Sequence, residues 1–353
     1  MAYSTVNKSS SFFNTHLYSG NDTTNNQQVG LTPAFVWVKS RNTGSPTQHY
    51  MVDAARGDKK YISSNATTAE QTDSNNFDLV SGGFNLNGGN GWTNVSGRTF
   101  VSWNWKGGTT SGISGGTITP SAYSIDTTAK FGVYKYTGNG SGSQTIAHGL
   151  GGTPTCVIFK QTSGTEQWRV HYMKAPNPYS QMLLLNTNAT ESSQNNGLSA
   201  VSSTTITFGN DGAYNANGGT YVCYIFCDVT GYCKNGSYLG DGNTFGPFIY
   251  TGFKPSFVMV KKATGSGDSW FINDDHRTAQ GLDGIGGNPN SYYMRPNEQS
   301  AEGTSASLAI DLLSNGFKIR GNDTAYNNDN STYVYTAFGQ PLVAGSNIPS
   351  TAR

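Results

Sequence analysis

Three times in this chain of 353 residues an apolar run opens on proline and closes on lysine. The runs are PAFVWVK at 33–39, PTCVIFK at 154–160 and PSFVMVK at 255–261. Each is followed by a second apolar stretch, TFVSWNW from Thr99, TYVCYIF from Thr220 and TYVYTAF from Thr332, at offsets of 66, 66 and 77 positions from the proline. Between them recurs a third piece, SGGFNLNG, STTITFGN and SNGFKIRG, and ahead of each run lies a stretch ending in a Gly/Asn turn. Four landmarks in one order, three times over, define a triplicated module. Aromatic and β-branched enrichment between turn residues makes each landmark a strand. A run as continuous as AFVWV must be covered on both faces, which calls for a second layer of sheet.

The chain is therefore read as all-β, with three tandem β-sandwich modules of jelly-roll or concanavalin-like type. Residues 1–106 form the first module, 107–128 a Gly/Ser/Thr-rich linker, 129–230 the second module and 231–353 the third. The leading proline suits the first residue of a strand, where a missing N–H loses no ladder bond. The closing lysine is expected where the chain meets water. The Gly/Ser-rich start of 107–128 predicts a first module that moves more freely than the other two.

Composition narrows the function. Basic and acidic side chains, 22 and 21, nearly cancel to a net charge of +1. That offers no electrostatic footprint for nucleic acid or an anionic membrane. No apolar segment approaches the ~20 residues of a membrane span. The N-terminus lacks the apolar core of a signal peptide, so the chain is expected to remain in the cytosol until it assembles. The Asn-X-Ser/Thr triplets at Asn65, Asn94, Asn235 and Asn330 then follow from a Ser/Thr/Asn-rich sequence, not from glycosylation. Cys156, Cys223, Cys227 and Cys233 match neither disulfide nor zinc spacing, and are expected as buried free thiols.

No catalytic constellation emerges. Asp53 with Arg56 and Asp274 with Arg277 recur in two modules, but the second has Tyr172 and Ala175 there, so the pair reads as an ion pair fixing a turn. An Asn followed five residues later by Glu recurs in all three (Asn65 and Glu70, Asn186 and Glu191, Asn297 and Glu302). One recurrent acid per module is short of a glycosidase pair, and a loop carboxylate accepting backbone hydrogen bonds is expected. His16, His49, His148, His171 and His276 occupy unrelated module positions. Acidic Asn-rich turns lack the alternating spacing of an EF-hand. No enzyme activity, metal or cofactor is expected. The candidate binding residues are Trp92, Tyr214 and Tyr326, aromatics on Gly/Asn-rich loops that could offer a sugar or a protein a flat apolar platform.

The opening MAYSTVNKSSSFFNTHLYSGND, the middle YTGNGSGSQTIAHGLGGTPTCVIFK and the junction VTGYCKNGSYLGDGNTFGPFIYTGFKPSFVMVKK resemble a repeat family of tailed bacteriophages, many of them marine. So does the ending from LLSNGFKIRG onward. The resemblance runs through essentially the whole chain. It implies a virion or tail-fibre-like structural protein and carries over no catalytic residue. The expectation is an oligomeric tail appendage, taken as a trimer, on the virion surface and made in the host cytoplasm. Its partners would be copies of itself, other virion proteins and a host surface glycan or protein. A head decoration protein is the alternative, and a polysaccharide-degrading enzyme a third.

Overall fold

The computed structural model describes residues 4–42, 46–73, 77–277, 287–341 and 343. It is built from antiparallel sheets, one larger and one three-stranded in each module. In the first module the larger sheet runs Phe13–Ser19, Thr99–Lys106, Pro33–Ser40, Tyr50–Asp53, Lys60–Ile62, Gln71–Thr72. The second repeats this order with Phe131–Thr137, Thr220–Cys227, Pro154–Gln161, Arg169–Tyr172, Gln181–Leu184 and Ser192–Ser193. The third has Cys233–Leu239, Thr332–Pro341, Phe253–Lys262 and Phe271–Asp274. Each Pro-to-Lys strand pairs with its module's last long strand through the same irregularity, a register shift at Pro33/Phe35, Pro154/Cys156 and Pro255/Phe257. A bulge copied three times marks one module copied three times.

The continuous apolar runs are explained by two different covers. Val36 and Val38 face the first module's own small sheet, as do Val157 and Phe159 in the second and Val258 and Val260 in the third. The alternate residues, Phe35 and Trp37, Cys156 and Ile158, Phe257 and Met259, enter one core shared by all three modules. There Phe35 lies 4.6 Å from Tyr224, Phe13 stacks on Phe338 at 4.9 Å, and Trp105 meets Phe226 and Phe257 at 6.4 and 6.1 Å. A central void of only about 20 Å³ remains among these rings. The modules are thus not beads on a string. Their large sheets back onto each other, and each supplies a third of the wall that hides the others' apolar face from water.

Two expectations about the chain's course are corrected. Segment 107–128 is not a free linker: Ala122–Asp126 is an added edge strand on the second module's large sheet. Ile118, Tyr123 and Ile125 from the same segment are buried in that module's core. Nor does the first module swing independently, because its Trp37, Trp103 and Trp105 belong to the shared core.

Candidate functional site

The recurrent polar residues turn out to join the modules, and they do so in a closed cycle. The N–H of Glu70 donates to Thr162 O at 2.8 Å, that of Glu191 to Ala263 O at 2.8 Å, and that of Glu302 back to Arg41 O at 3.1 Å. First module bonds to second, second to third, third to first. The closing lysines complete the same junctions: Lys160 Nζ donates to Thr67 O, Lys261 Nζ to Asn188 O and Lys39 Nζ to Gln299 O. The expectation that these lysines meet water is wrong; all three are fully buried. Each Nζ has three oxygen acceptors, so the amine is satisfied inside the protein and not by solvent. Burial lowers the ammonium of Lys39 to about 7, of Lys160 to about 8 and of Lys261 to about 7.

The recurrent asparagines brace the same junctions. Asn65, Asn186 and Asn297 each accept, through Oδ1, the backbone N–H of the residue just before the fourth strand of its sheet: His49, Trp168 and Trp270. Those three rings then reach into the preceding module of the cycle: Trp168 Nε1 donates to Ser63 O and Ala66 O, Trp270 Nε1 to Leu184 O, and His49 Nε2 lies 3.0 Å from Arg295 O. A further cycle runs through the acid–base positions. Tyr224 OH donates to Asp53 at 2.8 Å, Trp103 Nε1 to Asp274 at 2.9 Å, and the Tyr172 hydroxyl meets Thr336 at 2.8 Å. Asp53–Arg56 and Asp274–Arg277 are fully buried pairs at 2.6 and 2.7 Å, each also closing its turn through the arginine N–H. They are structural, as the sequence reading expects of an ion pair at a turn. Where the second module has Ala175, the carboxyl of Glu191 has no arginine, and burial raises it to about 7.

The loop aromatics do not form a platform. Tyr214 and Tyr326 are 1% and 0% exposed. Each lies in a one-turn helix capped by an aspartate (Asp211 or Asp323), and its hydroxyl points inward to His171 and Gln194 or to Asn273. Trp92 is partly buried and packs edge-on against Tyr61 at 5.7 Å. Their rings close the sandwich edge because a tyrosine buries its ring and still bonds its hydroxyl. Asn94 and Asn235, within two of the glycosylation-like triplets, are buried as well. All four cysteines are free and buried, as expected. Among the described residues no group of three or more His, Cys, Asp or Glu is placed to hold a metal ion.

The exposed aromatics lie elsewhere, and the sequence reading missed them. Phe245 is 76% exposed, Tyr250 55%, Phe248 45% and Tyr179 42%. Phe248 and Tyr250 alternate with the inward Ile249 on the edge strand Phe248–Tyr250 of the third module's small sheet. Together with the edge strand Cys233–Leu239 they line a groove of roughly 350 Å³ that also takes in Lys174, Asp228 and Lys234. Lys234 spans it, its Nζ 2.7 Å from Tyr250 O. The available signal was FIY, an aromatic–aliphatic–aromatic alternation that puts two rings on the outer face of a short strand.

These features define a class: an all-β protein of three fused sandwiches closed into a cyclic, pseudo-threefold unit around one core. Within that class, the chain belongs to the family described as Domain of unknown function (DUF7483), whose model matches residues 8–341. The match spans all three modules. No curated protein and no solved structure matches the chain.

Proposed function

We propose that the chain is a structural protein of a bacteriophage virion, a tail appendage or fibre component that contributes to contact with the host surface. The observation that carries this reading is the use made of the recurrent polar residues. Lys39, Lys160 and Lys261, the three Asn–Glu pairs and the two Asp–Arg pairs are all engaged in holding modules together. A chain whose repeated charged residues maintain a rigid frame is suited to a load-carrying part. The resemblance of its sequence to phage repeat proteins supports a virion as the particle on which such a part would sit. A head decoration protein is the second reading, favoured by the cyclic arrangement. One chain with pseudo-threefold symmetry presents three equivalent faces to a threefold position of a capsid lattice.

Electron microscopy of particles labelled with gold-conjugated antibody against the chain separates these readings. Label at the tail is the expected result. Label confined to the head selects the decoration reading, and unlabelled particles refute both.

A further inference from the structure

Alternate residues of each small sheet point away from the sandwich core, and the three modules furnish this outer face differently. In the first module, Asn26 stands opposite Asn85, with Asp78 opposite Asn85 on the other side. In the second, Thr145 stands opposite Thr207. In the third, Phe248 stands opposite Lys318, which in turn faces Asp311, and Tyr250 stands opposite Gly316. The places of Phe248 and Tyr250 are thus held by Asn26 and Gln28 in the first module and by Thr145 and Ala147 in the second. The frame has no need of rings there. Two large aromatics, 45% and 55% exposed where the other copies carry amides or small residues, point to a ligand.

The rings are set low on the sheet. Phe248 leans diagonally over the neighbouring strand: a Cβ on Gly316 would stand 2.9 Å from its Cζ. Tyr250 has the Lys234 ammonium 5.4 Å from its ring centroid. Lys318 stands beside Phe248 in register, and Lys174 lines the groove that the same edge strand borders. Neither Lys174 nor Lys318 has a hydrogen bond or ion pair among the described residues. The carboxylates nearby are engaged. Asp311 lies 3.4 Å from Arg320, and Asp228 Oδ1 accepts from the Thr155 hydroxyl and the Asn235 N–H. Two exposed rings therefore sit beside cations that nothing in the chain neutralises.

We propose that this face of the third module, with the groove at its edge, binds a saccharide that carries a carboxylate. The C–H face of a sugar ring lies on Phe248 or Tyr250, its hydroxyls meet the polar groove, and its carboxylate is placed for Lys318 or Lys174. An added peptide strand does not fit, because Val229 and Asp228 already bond the edge at Cys233 and Asn235, and Lys234 caps the carbonyl of Tyr250. A nucleic acid tracks a continuous basic groove, which a chain of net charge +1 does not supply. The site deepens the reading of host-surface contact and rests on it for its natural ligand.

The test presents the full chain to an array of short oligosaccharides that carry uronic or sialic acids, each beside its carboxyl-reduced neutral counterpart, and to single-stranded oligothymidylate. Saturable binding to acid-bearing members is expected. Phe248→Ala and Tyr250→Ala, both at exposed positions, should each weaken it about five- to tenfold with the melting temperature kept. The double variant Lys174→Gln, Lys318→Gln should weaken it about two- to fivefold and bring it level with the neutral counterparts. The array needs no particle, so binding supports the site even where antibody labels no virion, and a labelled tail does not rescue a site that binds nothing. Failure of every acid-bearing member to bind overturns the proposal, as does equal binding of the neutral counterparts or binding unchanged in both alanine variants. Binding of oligothymidylate alone gives the face to nucleic acid and overturns it too.

Discussion

Raising the pH from 7 to 8.5 is expected to stabilise this protein, because three lysines are buried at its module junctions. The ammonium of Lys39, Lys160 and Lys261 is lowered to about 7, 8 and 7, chiefly by burial. Glu166 works against this at Lys160; at Lys261, Asp268 opposes it and Lys262 reinforces it. In the unfolded chain the same groups hold their protons to about pH 10.4. Between these values the unfolded state binds more protons, so stability rises with pH. Integrated from pH 7 to 8.5, the three lysines contribute about 4 kcal/mol. The four buried thiols, raised by burial, act in the opposite sense as their unfolded counterparts begin to ionise, and offset about 1–2 kcal/mol. Glu191, raised to about 7, opposes by a few tenths of a kcal/mol, roughly what His49 and His171, lowered by burial, add. The net gain is about 3 kcal/mol. With an unfolding entropy of about 2.1 cal/mol/K per residue, the melting temperature should rise by about 4 °C. Differential scanning calorimetry in matched buffers reads this directly. Lys39→Met removes about 2 kcal/mol of the gain, so its melting temperature should rise less than half as far. The reasoning fails if the wild-type melting temperature is flat or falls over this range while Lys39→Met follows it in parallel. The nine oxygen acceptors around the three amines would then be holding them as ammonium ions.

Three other outcomes follow from the shared core and its junctions. Residues 129–230 expressed alone should not give a folded monomer, since Ile158, Tyr224 and Phe226 lose their cover from the other modules and residues 107–128 no longer fill the edge; a monodisperse monomer with a cooperative melt contradicts a shared core. Glu191→Gln should raise the melting temperature at pH 8 by about 1–2 °C and have little effect at pH 3, where the carboxyl is neutral in both states; no gain at pH 8 shows the carboxylate to be paired. Tyr224→Phe deletes a hydrogen bond to the buried Asp53 carboxylate and should cost about 1.5–3 kcal/mol in chemical denaturation, against about 1 kcal/mol for Tyr172→Phe, whose partner is the neutral Thr336; equal losses would mean that the aspartate's charge does not strengthen the bond.

What the sequence made legible was whatever recurs. The bulged strand after Pro33, Pro154 and Pro255, the small-sheet strand near Gly83 and Gly316, and the Asn–Glu spacing could be aligned because each module repeats them. Their meaning was less legible, since it depends on a neighbour hundreds of residues away in the chain. A lysine ending a strand is ordinarily solvated; Lys39 is not, because Gln299 brings a carbonyl to it from the third module. A tyrosine in an Asn-rich loop reads as exposed, yet Tyr326 finds Asn273 inside the sandwich. The strand in 107–128 had a local signal, the alternation of Tyr123 and Ile125, but flanking Gly and Ser residues outweighed it. This difference bears on function. Residues held at constant spacing in all three modules close the cycle, and so they cannot distinguish one module from another. The modules differ where that constraint is absent, at the edge that His16 and Gln27 bridge in the first, Tyr123 and Ile125 fill in the second, and Asp228 and Val229 bond in part in the third.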